Sequence, residues 1–253
     1  MINTELKNLL DDKYRLFNNP DFINTDPIQF PHRFSREEDI AIAGFLSASI
    51  AWGNRTMINR NCERIMNILN NSPFDFILNL DESKIDLLPH FVHRTFNSED
   101  FKFFLLSLKN IYLNHGGLKN VFESYYLKNH SIIEALSGFR QIFFEITPPD
   151  KTFRQVSDVT RNSACKRLNM FLMWMVRNND AGVHFGLWNK IETKDLLLPL
   201  DVHTSTVGRE LGLLTRSYND LKAVKEITSN LAIFDPDDPV KYDFALFGIG
   251  VYS

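Results

Sequence analysis

Cysteine is scarce: only Cys62 and Cys165 occur in 253 residues, and they lie far apart. This excludes a disulfide framework, and it excludes an iron–sulfur cluster held by four thiolates of this chain. Long apolar runs are missing as well. The longest, Met170–Val176, has seven residues, against the roughly 20 needed to span a bilayer. Lys7, Asp11, Asp12, Lys13 and Arg15 break up the first twenty residues, so no signal peptide is expected. There is no large excess of either charge, with 28 Lys and Arg against 31 Asp and Glu. With 44% hydrophobic residues, the chain is too apolar and too nearly neutral to be disordered. The expectation is a reduced, cytoplasmic protein without a membrane partner.

Familiar enzyme signatures are also absent. There is no Walker loop and no G-x-S-x-G elbow, and Gly248 and Gly250 have no following helix to form a dinucleotide fingerprint. His90 and His93 stand three apart with no third ligand spaced to join them, so no metal and no cofactor is expected. Internal repeats, low-complexity segments and alternating strand pairs with hairpin turns do not occur.

What is present is phenylalanine, 22 residues of it, and helical periodicity. A chain of this length buries a sizeable core without staples. Glu38–Ile50 is apolar nearly all round and reads as a buried helix, with Ser35 and Glu38 as its capping box. Ser98 opens a helix with Phe101, Phe104, Leu105, Leu108 and Ile111 on one stripe, stopped at His115-Gly116-Gly117. Shorter helices are predicted over Leu118–Tyr126 and Ile132–Phe144, with Pro148-Pro149 as a break. Ser163–Val176 reads as a central helix, followed by a loop at Asn178-Asn179-Asp180 and Gly182. Leu196–Leu200 is an apolar approach to Asp201. Val202–Leu211 and Asn219–Leu231 are helical in pattern, and Asp238-Pro239 caps a last helix ending at Gly248. The fold class is all-α.

The small net charge hides an asymmetry. Residues 151–190 carry seven basic side chains and two acidic ones, while the flanking regions are each net negative. Arg55, Arg60 and Arg64 form a smaller basic stretch. Such a strip suits contact with a phosphate backbone, and it equally suits a solvated helix face.

Two residues have the pattern of chemistry. Lys166 heads the apolar helix, where the positive helix end and desolvation favour a neutral, nucleophilic amine. Asp201 follows LLLPL and precedes a helix. That is the position of an N-cap, and equally of a carboxylate held at a site.

The segments ACKRLNMFL and PLDVHTSTVGRELGLL resemble the helix-hairpin-helix DNA glycosylases of the endonuclease III superfamily. EDIAIAGFLSASIAWGNRTMINRNCERIM resembles that superfamily's early helix pair, and VKYDFALFGIG its closing helix. The likeness spans about residues 36–250 and is closest to a bacterial family of unknown function placed in the same superfamily. It implies a two-lobed fold with a cleft between a central lobe, 36–166, and a second lobe formed by 1–35 and 167–253. Lys166 and Asp201 match the catalytic lysine and aspartate, and His203 the histidine of the aspartate motif. Asn162, Ser163 and Ala164 stand where the hairpin's glycine-any-glycine is expected. Ser49 replaces a DNA-inserting glutamine. The Lys166–Asp201 separation, 35 residues, is nearer that of archaeal 8-oxoguanine glycosylases and makes 178–195 an insertion.

The resemblance implies excision of a damaged base from double-stranded DNA through a Lys166 Schiff base, with strand-nicking lyase activity. DNA contacts are expected from Ser49, Trp52, Asn54, Arg55, Arg161, Asn162, Ser163, Ala164, Arg167 and His203. Phe185 and Trp188, like Trp52, are either stacking residues for the base or core. Two other functions remain open: a non-catalytic DNA-binding protein that keeps the fold, and a nucleoside or nucleotide hydrolase that reuses the cleft.

Overall fold

Short polar side chains start most of the helices in this computed structural model, which describes residues 3–178 and 181–252. Asn3, Asn54, Asn97, Ser131, Asp201 and Asp220 each accept a backbone N–H from the first turn that follows them. The helices are α1 (Thr4–Phe17), α2 (Glu37–Ser49), α3 (Arg55–Ile68), α4 (Pro73–Leu78), α5 (Ser98–Asn114) and α6 (Gly117–Asn129). They continue with α7 (Ile132–Phe143), α8 (Lys166–Val176), α9 (Val202–Glu210), α10 (Leu221–Ala232) and α11 (Asp243–Tyr252). Short 3-10 turns join them. Among the described residues there is no strand, only isolated bridges between His93 and Phe96 and between Ser163 and Asp220. The chain is mostly helical, and none of its described helices is long and apolar enough to cross a membrane.

Several expected boundaries move. The cap of α2 is Arg36, not Ser35, and it makes no side-chain capping bond. Helix α5 opens at Ser98 as expected, and its cap is Asn97, in a capping box with Asp100. The central helix begins at Lys166 because Cys165 adopts a left-handed conformation, φ +49°. Asp238 does not cap: its carboxylate is taken by Arg177, and a 3-10 turn, Pro239–Tyr242, precedes α11. Gly248 does not end the last helix. It lies inside α11, where a Cβ would overlap the Phe17 ring of α1. Helices α1 and α4 match no element expected from the sequence, and α3 was expected from the resemblance alone. Asn179 and Asp180 of the expected loop lie outside the described residues.

The chain divides into two compact units, Asn24–Ser157 and Met1–Ile23 with Asp158–Ser253. The turns Pro27–Gln29 and Pro31–Arg33 pack on α2 through buried Pro27, Ile28, Phe30 and Pro31, which brings 24–35 into the first of these units.

In the 24–157 unit, α2, α5, α6 and α7 surround a phenylalanine core. Phe104 meets Phe45, Phe96 and Phe143 at ring-centroid distances of 5.7, 5.0 and 4.8 Å, and Phe139 stacks on Phe122 at 4.5 Å. Stacked and edge-on pairs of this kind add to the area they bury. Buried Asp100 is fully engaged: it accepts from Asn97 N, Thr152 Oγ1 and Gln155 Nε2, and so ties residues 152–155 to the start of α5.

In the other unit, α11 packs on α1 and α9. Leu10, Leu198, Leu200, Val207, Ala223, Val224, Ile227, Leu231 and Leu246 belong to one apolar core. Arg177 does not lie on a basic surface strip. Its side chain is 1% exposed, pairs with Asp238 at 2.7 Å, and donates to Tyr14 Oη at 2.8 Å and His184 Nδ1 at 3.2 Å. Burial pushes the Asp238 carboxyl up, and the Arg177 charge opposes this. Arg177→Met should therefore destabilise the protein by about 3 kcal/mol in urea unfolding, because it leaves a largely buried carboxylate without its cation.

Candidate active site

The approach to Asp201 is set by the core. Leu196, Leu198 and Leu200 are buried, and Leu198 N donates to Thr228 Oγ1 of α10 at 3.1 Å. Asp201 is then the N-cap of α9. Its Oδ1 accepts from Thr204 N at 2.9 Å, while Thr204 Oγ1 accepts from Asp201 N at 2.8 Å, a reciprocal capping box. The other oxygen, Oδ2, lies 3.4 Å from Lys166 Nζ. Asp201 is thus both a cap and a partner of the lysine. The two side chains are 20% and 31% exposed, partly screened but within reach of solvent.

Lys166 is the first residue of α8, where the helix dipole presents its positive end. The loop before it is held by its own polar atoms. Asp158 caps the turn Val159–Arg161, accepting from Thr160 N at 3.0 Å. Asn162 sits at φ +62°, and Cys165 N donates to Ser163 Oγ at 3.3 Å. Ala164 O accepts from the side chain of buried Asn169 at 3.0 Å. Asparagine tolerates the left-handed conformation seen at Asn162 best after glycine.

The segment after α9 braces both arms of the pair. Asp220 caps α10, takes Arg216 Nε at 2.7 Å, and accepts from Asn162 Nδ2 at 2.8 Å, while Leu221 N donates to Asn162 O at 3.0 Å. The hydrogen bond from Arg216 holds the Asp220 carboxyl well below the usual carboxylate range; partial desolvation opposes it, and bonds from Ala223 N and Asn162 reinforce it. Asn219 Nδ2 reaches Ser205 Oγ at 2.8 Å and Asp201 O at 3.5 Å, and Arg209 fastens Arg216 O, Ser217 O and Asn219 Oδ1. None of these braces was singled out in the sequence. The available signal was local: Asp-x-x-Thr at 201–204 and Asp220 before an amphipathic helix are both capping patterns.

Other candidates from the sequence fall in different settings. Arg161 and His203 are exposed and Ser163 and Ala164 half-buried, all in the unit that holds Lys166. Arg167 is half-buried, and desolvation lowers its pKa to about 10. Phe185 is half-buried. Trp188 is 1% exposed and edge-on to Phe171 at 5.2 Å, so it is core and unavailable for stacking on a base. In the 24–157 unit, Ser49 ends α2 and is buried, and Asn54 caps α3 by accepting from Met57 N. Arg55 pairs with Asp26 at 3.6 Å. Trp52 is half-buried, edge-on to His93 at 4.9 Å. His93 uses both nitrogens, Nδ1 with Asn61 Nδ2 at 2.9 Å and Nε2 with Trp52 O at 3.1 Å. Among the described residues no group of three or more His, Cys, Asp or Glu stands close enough to hold a metal ion.

These features define an all-α protein in which a helix-capping aspartate faces a lysine at the start of a second, buried helix. The chain belongs to the family described as protein of unknown function DUF2400, whose model matches residues 26–252. No curated protein and no solved structure matches it.

Two stability measurements probe this scaffold. Asn162→Ala and Asn162→Gly both lose the bond to Asp220, but alanine also takes on the left-handed strain, so it should unfold about 1 kcal/mol more easily than glycine in urea. For Asp220, whose folded pKa is depressed, stabilisation is complete above the ordinary value of 3.8 and is lost as pH falls through the folded value. The stability gap between wild type and Asp220→Asn should stay constant near neutrality and narrow in denaturant titrations below that pH.

Proposed function

We propose that this protein excises damaged bases from double-stranded DNA as a glycosylase with lyase activity, Lys166 being the nucleophile and Asp201 its carboxylate partner. The observation that carries this reading is the 3.4 Å approach of Lys166 Nζ to Asp201 Oδ2, the oxygen not used for capping. The resemblance to the helix-hairpin-helix glycosylases supports it, as does the left-handed Asn162 at the hairpin position.

The chemistry follows from the pair. A nucleophilic amine must give up a proton, and Oδ2 is within reach to accept it. The Lys166 nitrogen then bonds to the sugar C1′ as the C1′–N bond to the base breaks, and the base leaves with the bonding electrons and takes up a proton. Asp201 passes the proton it took from Lys166 to the departing base, which restores its carboxylate beside the cationic charge at C1′. Ring opening gives an iminium. Loss of a C2′ proton with departure of the 3′ phosphate nicks the strand, and water releases the lysine. Extruding the nucleotide costs a few kcal/mol, which contacts to the flipped base must offset. Arg161 and Arg167 are placed in this reading on backbone phosphates, with the 162–164 loop beside them.

Borohydride trapping on a panel of damaged and abasic duplexes tests it. Wild type should form a covalent complex and Lys166→Ala none. Asp201→Asn keeps a side chain able to cap α9, so the fold should persist while excision slows at least about a hundredfold, or ~2.7 kcal/mol in the barrier. A wild type that traps no duplex, or a complex that survives Lys166→Ala, rules out the mechanism.

A further inference from the structure

Tyr218 and Val202 are large apolar side chains left in solvent, 72% and 71% exposed, in a unit whose other apolar residues are mostly packed. They flank a single hydrogen bond. Val202 follows Asp201, Tyr218 precedes Asn219, and Asn219 Nδ2 reaches Asp201 O at 3.5 Å. Two residues beyond Tyr218, Asp220 is bonded to Asn162 and bridged to Ser163, in the loop leading to Lys166. The Tyr218 backbone is therefore within two residues of both arms of the Lys166–Asp201 pair.

The segment carrying Tyr218 is also fastened on both sides. Arg209 holds the carbonyls of Arg216 and Ser217 and the side chain of Asn219, and Asp220 holds Arg216. The Arg216 guanidinium lies 5.7 Å from the Tyr218 ring centroid, so a cation backs the ring. An aromatic ring presented to solvent on braced backbone loses little freedom when it is covered, which favours binding over core packing.

We infer that Tyr218 is a substrate-binding residue that stacks on a nucleobase of the DNA strand held at Lys166, with Val202 against the same strand. This inference rests on the DNA reading above, but not on the lyase chemistry. Stacking requires the ring and not the hydroxyl, and it is independent of phosphate charge.

The test uses the full-length protein, a duplex containing a tetrahydrofuran abasic analogue, and 2-aminopurine on either side of it. Binding is followed by anisotropy and stacking by quenching of the 2-aminopurine. Tyr218→Ala should weaken binding about ten- to hundredfold and abolish the quenching at one flank, while Tyr218→Phe stays within about twofold of wild type. The slope of log affinity against log salt should be the same for all three. Because the side chain is exposed, Tyr218→Ala should keep the wild-type circular dichroism. Tyr218→Ala binding and quenching like wild type would overturn the inference, and borohydride trapping of wild type on a matched duplex with a natural abasic site in place of the tetrahydrofuran would show whether the lyase reading survives that result. Quenching that depends on Tyr218 without any trapped complex would retire the lyase alone. A wild type that binds no duplex would retire both.

Discussion

A single carboxylate with two differently employed oxygens organises the candidate site of this protein. Oδ1 of Asp201 is tied into the first turn of α9 through Thr204, and this fixes the plane of the carboxylate and the direction of Oδ2. Oδ2 faces the Lys166 ammonium. Without the cap, the carboxylate would rotate about its own side-chain torsions and the distance to lysine would be one of several. With the cap, the pair costs little further ordering when it forms. The buried leucines at 196, 198 and 200 place the cap, and the braced loop at 158–165 places the lysine.

The polar groups of the same unit divide into two networks with different consequences. Arg177, Asp238, His184 and Tyr14 form an internal network that joins the end of α8, the segment after it, the approach to α11 and α1. Arg177 and His184 are buried and Tyr14 and Asp238 half-buried, so it specifies packing. Asn162, Arg216, Asn219 and Asp220 form a second network nearer the surface, where water screens each pair and single bonds are individually weak. Their effect is geometric, since together they hold two chain segments, 158–165 and 215–221, against each other. The exposed residues Val202 and Tyr218 stand on the edge of that second network.

Much of the helical architecture was legible in the sequence because capping and periodicity act within a few residues. Helices α5, α7, α9 and α10 fall close to where the apolar spacing and capping residues put them. Asp238 and Gly248 both look like helix ends, but distant partners decide what each does: Asp238 is claimed by Arg177, and Gly248 makes room for Phe17. Arg177 looked like part of a basic strip because charge patterning does not distinguish a surface cation from one that finds a carboxylate 61 positions away. Trp188 was open between stacking and core, and the packing against Phe171 puts it in the core.

Residue types and local spacing by themselves determined the all-α class, the start of α8 near Lys166, and the position of Asp201 at the head of a helix. Those properties depend on backbone hydrogen bonds within one or two turns, so neighbouring residues suffice to specify them. The closeness of Lys166 to Asp201 was implied by resemblance and decided by tertiary structure. Tertiary structure alone decided the bond between left-handed Asn162 and Asp220, the inward turn of Arg177, and the braced exposure of Tyr218. Each depends on contacts between segments far apart in the chain, and such contacts form only when the apolar core brings those segments together and sets their register.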